Sequence, residues 1–329
     1  MQIAAVADGI FRIPIPVPIP LRWVNCYALK GPDGWTLVDT GFHDPGAEAA
    51  WREAMGRLGI RPGDVEQILV THYHPDHLGA AGWLQAVTCA PVVRMPERDA
   101  ALVPVVWDRR GEQAGNLVAF LRRHGMPAEV AEVVREQHLQ HGCLLEPLPA
   151  RLQPIADGEE LRIGGRRMQA IWMPGHSEGL MVFLDLEDGL CLLSDMLLMK
   201  ITPNVALWPW GIPDPLAAFL ESLDRMARLP VRLGLTGHRD LIPDVPGRAR
   251  EIREHHARRL EEVRVLCRAA GPRGLTGWEL SRGLFGDQSS IHNQRFAMAE
   301  ALAHAEHLVQ RGELVREEEE GGTVRYRLA

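Results

Sequence analysis

Thr71-His72-Tyr73-His74-Pro75-Asp76-His77 places three imidazoles and one carboxylate within six residues. The β-rich run Gln67 to Thr71 leads straight into it, so the cluster occupies a loop leaving a strand. Groups this dense repel protons and one another unless a cation organises them. Alternate positions of such a loop can face different sides. His72 and His74 can then serve one metal while Asp76 and His77 serve a second.

Three later stretches share this logic of an apolar strand followed by a ligand-type residue. Met168 to Trp172 leads into Pro174-Gly175-His176, Leu190 to Ser194 into Asp195, and Val231 to Thr236 into Gly237-His238. Alone, each is commonly a hydrogen-bonded histidine or a turn aspartate. With the loop they supply five histidines and two aspartates, the donor set that two adjacent ions with one shared carboxylate require.

Outward from the loop, the chain reads as alternating strands and helices. Val24 to Leu29 and Trp35 to Asp39 flank Gly31-Pro32-Asp33-Gly34, a turn in which glycine supplies positive φ and proline presets the bend. Asp44 is placed to cap a helix with Pro45 at its first position, Trp51, Met55 and Leu58 on its apolar face, and Gly59 at its end. A short helix is expected around Ala80 to Gln85. This order predicts an α/β architecture of sheets sandwiched by helices, with functional groups at strand ends.

Residues 97–147 read as a mostly helical insertion. One helix includes Leu117, Val118, Phe120 and Leu121 and stops near Gly125; another, after Pro127, carries Val130, Val133 and Val134. These side chains, with Trp107, are candidates to line an apolar acyl pocket or to pack on the sandwich. From about Pro246 a long charged helix, Arg248 to Ala270, is followed by a short helix from Thr276, a helix from Asn293 to Arg311 and a hairpin from Glu313 to Leu328. That is a winged-helix pattern, so residues 1–245 are expected as the catalytic domain and 246–329 as a small winged-helix-like domain.

The spacing His72-x-His74-x-Asp76-His77, with Gly175-His176, Asp195 and Gly237-His238, resembles the metallo-β-lactamase superfamily, as does Leu37-Val38-Asp39-Thr40-Gly41. The resemblance covers roughly Met1 to Asp244 outside the insertion and implies an αββα sandwich. It implies a first metal on His72, His74 and His176, a second on Asp76, His77 and His238, and Asp195 bridging them. Asp76 and Asp195 become the catalytic carboxylates, and Asp39 a group that orients ligands. Zinc suits the histidine-rich set, and iron or manganese tolerates it.

A water shared by two cations loses a proton near neutral pH and becomes the nucleophile. Ser177 and Ser194 then serve as hydrogen-bonding or spacing residues, and His43 and His141 are placed on the surface. An aspartate at 195, where lactamases proper often carry cysteine, resembles the glyoxalase II, thioesterase, lactonase and nuclease branches. The C-terminal winged-helix pattern resembles a branch with an animal endoribonuclease and fungal acyl-carrier thioesterases. The leading expectation is therefore hydrolysis of a thioester or related activated acyl ester. Alternatives are an endoribonuclease, a lactonase or phosphoester hydrolase, and a metal-binding regulator whose winged helix binds DNA.

Charge weighs against nucleic acid. The whole chain carries −7, and from Gly247 to Ala329 fourteen arginines oppose thirteen acidic residues. Glu300 and Glu306 on the would-be recognition helix, and the acidic run Glu317 to Glu320, point instead to a cap or a homodimer contact. Lys30 and Lys200 are the only lysines; Lys200 is read as solvated. Five dispersed cysteines, no secretory signal layout and no membrane-length apolar stretch give the expectation of a soluble cytoplasmic protein without a membrane partner.

Overall fold

A computed structural model describes residues 2–108 and 110–329. The first sheet follows chain order: β1 (Ala4–Ala7), β2 (Ile10–Pro16), β3 (Trp23–Lys30), β4 (Trp35–Val38), β5 (Val65–Leu69), β6 (Val93–Pro96) and β7 (Leu152–Ile155). The second comprises β8 (Glu160–Ile163), β9 (Arg166–Trp172), β10 (Met181–Asp185), β11 (Leu190–Ser194) and β12 (Leu233–Thr236), in the order β12-β11-β10-β9-β8.

Strand direction decides where the ligand loops emerge. β4 and β5 are parallel. β10 opposes both β9 and β11, and β11 is parallel to β12, so β9, β11 and β12 run the same way. The residues that follow β9, β11 and β12 therefore leave the second sheet at one edge, where the loop after β5 meets them.

Both faces of each sheet are covered, which explains why the strands read as apolar runs without alternation. In β10, Met181 and Phe183 enter the layer between the sheets while Val182 and Leu184 face helices; in β11, Leu190 and Leu192 point in while Cys191 and Leu193 point out. Tyr27, Leu29, Val38 and Leu69 complete the layer between the sheets.

The first sheet is backed by α1 (Pro45–Leu58), with Trp51 fully buried, and, beyond a one-turn α2 (Pro75–Leu78), by α3 (Ala81–Thr88). Asp44 caps α1 through a 2.8 Å bond from Ala47 N, and Gly59 ends it with φ 70°. The β5 ladder stops at Leu69, two residues before the expected end, because the Asp39 carboxylate takes the Thr71 amide.

The insertion contains α4 (Glu97–Val106), α5 (Glu112–Arg123) and α6 (Ala128–Cys143). Leu117, Leu121 and Val134 pack into the core, Phe120 and Val130 flank it, and Val133 is 44% exposed. None of these lines the cleft described below; of the residues considered for an acyl pocket, only Trp107 lines that cleft.

The second sheet is backed by α7 (Pro215–Met226) and α8 (Val245–Ala270), through Phe219, Leu223 and Ile252. Then come α9 (Gly277–Phe285), α10 (Ile291–Gln310) and a hairpin of β13 (Leu314–Glu318) and β14 (Val324–Leu328). Thr276 and Glu279 form a reciprocal capping box on α9. α10 packs against α6, α7, α8 and α9, so Glu300 and Glu306 lie buried rather than on a free face. No helix among the described residues is long and apolar enough to cross a membrane.

Candidate metal centre

The structure brings all seven sequence-derived ligand candidates together. Their donor atoms form three overlapping triads, His72–His74–His176, His72–His77–Asp195 and Asp76–His77–His238, each with its atoms within 4.8 Å of one another. Asp195 lies between the outer two. Its Oδ2 is 3.5 Å from Nε2 of both His176 and His238, and its Oδ1 is 3.7 Å from His77 Nε2. Asp76 Oδ2 stands 3.2 Å from His238 Nε2, and His72 Nε2 faces His74 Nδ1 at 3.0 Å.

Outer contacts orient the rings. Nδ1 of His77 donates to Asp39 at 2.8 Å, that of His176 to the Asn204 carbonyl at 2.9 Å, and that of His238 to the Trp23 carbonyl at 2.9 Å. Each Nε2 lone pair is thereby turned inward. Nε2 of His77, His176 and His238, and Oδ1 of Asp195, find no hydrogen-bond partner. An orphaned buried polar atom costs about 1–3 kcal/mol. Four at one point, all lone-pair donors, fit divalent cations.

The electrostatics divide the cluster. Burial, then repulsion from neighbouring imidazoles, holds His72 and His74 well below the ordinary histidine range. Burial would also depress His77, but the carboxylates of Asp39, Asp195 and Asp76 carry it above that range. Burial would raise Asp76 and Asp195, yet His77 and His238 hold both below the usual carboxylate range. One side offers neutral imidazoles and the other is rich in carboxylate.

Two buried carboxylates fix the loops. Asp39 takes the amide and hydroxyl of Thr71 as well as His77. Asp99, in the first turn of α4, accepts from Tyr73 N at 3.0 Å, Ser177 Oγ at 2.7 Å and Gly179 N at 2.5 Å, tying the His72–His74 loop to the His176 loop. Asp99 was not anticipated: it lies inside the insertion and belongs to no strand-end pattern. Ser177 and Ser194 are both engaged in these networks. Asp39, Ser194 and Arg239 adopt positive φ of 56°, 47° and 66°, a conformation costing roughly 1–2 kcal/mol for a residue with a Cβ.

A cleft of about 280 Å³ opens onto His74, Asp76, His176 and Asp195. Ile19, Phe42, Trp107, Trp208, Trp210 and Phe296 give it an apolar wall, and His138, His141, His292 and Arg295 add polar groups. His141, expected on the surface, is buried, because α6 is covered by the body of the protein on one side and closes the cleft on the other. His43 is half-buried against Glu48 and the Glu146 carbonyl. Lys200 is 74% exposed and pairs with Asp240 at 2.9 Å.

Residues 20–238 match the metallo-beta-lactamase superfamily, and residues 260–329 match a metallo-beta-lactamase-like C-terminal domain. The chain belongs to the metallo-β-lactamase superfamily and is a hydrolase. A metallo-beta-lactamase family protein from Thermus thermophilus, TTHA1429, is 36% identical in its crystal structure with a TM-score of 0.86, covering 99% of this chain and 100% of that one. The "Probable metallo-hydrolase YqjP" of Bacillus subtilis is 23% identical over 97% of this chain and 98% of its own length. The "Atrochrysone carboxyl ACP thioesterase" of Claviceps purpurea is 24% identical over 49% of this chain and 50% of its own.

Proposed function

We propose that this chain hydrolyses the thioester of a small acyl group at a centre of two divalent ions, zinc foremost. His72, His74 and His176 would hold one ion, Asp76, His77 and His238 the other, and Asp195 both. When bound, such ions supply a water of depressed pKa and Lewis-acid polarisation of a carbonyl oxygen. Asp76 and Asp195, kept ionised by their imidazoles, accept hydrogen bonds from the attacking water. Water adds to the acyl carbon and the carbon–sulfur bond breaks, giving a carboxylic acid and a thiol.

The observation that carries the substrate class is the small apolar cleft that opens directly onto the ligand cluster. The chain's own nucleophiles are poorly placed for a covalent route: Ser177 and Ser194 are hydrogen-bonded, and burial pushes Cys26 and Cys191 up. Partial similarity to a fungal acyl-carrier thioesterase agrees with this reading. The burial of α10 argues against an RNA- or DNA-reading helix, which needs an exposed face. In this proposal residues 246–329 are a winged-helix-like cap on a catalytic unit of 1–245. The five free cysteines suit a reducing, cytoplasmic setting.

The test is turnover of a panel of acyl thioesters and lactones by zinc-loaded protein beside single-stranded RNA. Thioester hydrolysis abolished by His74→Ala is expected. Inertness towards the panel, with RNA cleavage that His74→Ala abolishes, would overturn the reading.

A further inference from the structure

Arg295, in the second turn of α10, carries its guanidinium into the wall of the cleft that opens on the ligand cluster. It is 7% exposed, and its Nε has no hydrogen-bond partner. No carboxylate among the described residues offsets its charge; burial lowers its pKa to about 10, and the one group acting against that loss is the Tyr73 phenol, itself kept neutral by burial. Three other sheltered arginines differ. Arg166 pairs with Asp185 and Asp188, Arg94 with Glu159, and Arg259 with Glu262.

Its position is nonetheless built. The guanidinium carbon lies 5.5 Å from the Trp208 ring centroid and 4.6 Å from that of Phe296. Stacking of this kind leaves the N–H edges free to meet a planar oxyanion. Trp208 stacks on Trp210, whose Nε1 reaches Tyr73 Oη at 3.3 Å, so the aromatic wall is continuous with the loop carrying His72 and His74. His141 and His292 line the same cleft as Arg295 and Asp76, so the guanidinium shares one cavity with the cluster. Burial and the Arg295 charge drive His138, His141 and His292 to about 4, 3 and 4, leaving them neutral near pH 7. Among the side chains that line the cleft, the standing positive charge is therefore Arg295, and a buried cation without a partner is costly unless a ligand supplies the anion.

We propose that Arg295 binds a carboxylate at the far end of the substrate's acyl group, so that the cleft selects anionic over neutral acyl chains. The inference rests on the thioesterase reading only for the bond that is cut. An oxyanion could also come from a phosphate on the carrier, but a pantetheine phosphate lies a full arm's length from the sulfur. A cavity of about 280 Å³ that holds the acyl end does not enclose it.

The experiment compares glutaryl and pentanoyl thioesters of N-acetylcysteamine on the zinc-loaded full chain, with Arg295→Met and Arg295→Lys alongside. Wild type should favour the glutaryl thioester in kcat/KM by about 10- to 100-fold, the range of a charge-assisted hydrogen bond, chiefly through KM. Arg295→Met should collapse that ratio towards one, and Arg295→Lys should keep part of it. Titration of glutarate and pentanoate, followed by tryptophan fluorescence, gives a readout free of turnover. Glutarate should bind wild type about tenfold or more tighter than Arg295→Met.

Equal kcat/KM for the two thioesters in wild type, or a preference that survives Arg295→Met, would overturn the proposal. The wild-type comparison decides even if Arg295→Met does not fold. An Arg295-dependent gain for a phosphopantetheine over a pantetheine thioester of pentanoate would assign the guanidinium to the carrier and also overturn it. If neither thioester turns over, the thioesterase reading fails while the glutarate titration still decides the role of Arg295.

Discussion

Asp39 accepts a 2.8 Å hydrogen bond from Nδ1 of His77, and both side chains are almost wholly buried. The bond sets the imidazole so that Nε2 faces Asp76 at 3.8 Å and Asp195 at 3.7 Å. A carboxylate–histidine pair of this kind fixes the tautomer and raises the basicity of the inward nitrogen.

Asp39→Asn, which tolerates the positive φ at this position, should weaken binding at Asp76–His77–His238 by about 10- to 100-fold. At limiting zinc, elemental analysis of the variant should show about one ion per chain under conditions that leave two on wild type. Unchanged stoichiometry and affinity would contradict the orienting role.

Asp99→Ala leaves three buried donors, Tyr73 N, Ser177 Oγ and Gly179 N, without their acceptor. At about 1–3 kcal/mol each, the loss should lower the melting temperature by roughly 5 °C or more. Ion binding at His72–His74–His176 should suffer before binding at the other position, because Asp99 ties those two loops. A zinc titration of the variant reads this order.

A Cβ at Gly237 would stand 2.2 Å from Asp195 Oδ1 and 2.9 Å from His77 Cε1. Gly237→Ala should displace the central carboxylate and reduce turnover by at least about 100-fold, the scale of a 1 Å misplacement. Gly321→Ala, where a Cβ meets nothing within 4 Å, is the matched control. It should keep wild-type turnover and zinc content.

Burial raises the Glu300 carboxyl to about 7, against the lowering influence of Arg259 and the bond from Asn204. A carboxyl raised on folding contributes its full stability below the unfolded value near 4.5 and loses it as pH rises through about 7. Glu300→Gln keeps an acceptor for Asn204 and removes the buried charge. The variant should exceed wild type by less than about 1 kcal/mol near pH 5 and by up to about 3 kcal/mol above pH 8. Denaturant unfolding at pH 5, 6.5 and 8.5 measures the difference; a constant offset across that range would contradict it.

The candidate ligand cluster is legible in sequence because each of its members follows an apolar strand, and parallel strands bring such positions to one edge. His72, His74, Asp76, His77, His176, Asp195 and His238 all obey that rule, and Asp39 follows β4 in the same way. Residues that reach the site from helices obey no such pattern. Asp99 occupies one position of a helical insertion, and Arg295 is one of fourteen arginines in a charged segment. Helix periodicity identified α5 and α6 but not which face would close the cleft, so Leu117 and Val134 are core while His141 lines the pocket. Glu300 and Glu306 read as surface charges because carboxylates usually are. Asn204 and Tyr326 supply the hydrogen bonds that allow their burial.

Anomalous diffraction at the zinc edge from crystals of zinc-loaded protein tests the central claim, a two-ion centre sharing Asp195, most directly. The account predicts two peaks per chain, one among His72, His74 and His176 and one among Asp76, His77 and His238, with Asp195 between them and the second peak lost in Asp76→Ala. A single peak in a fully active enzyme, or a second ion away from Asp76, His77 and His238, would contradict it.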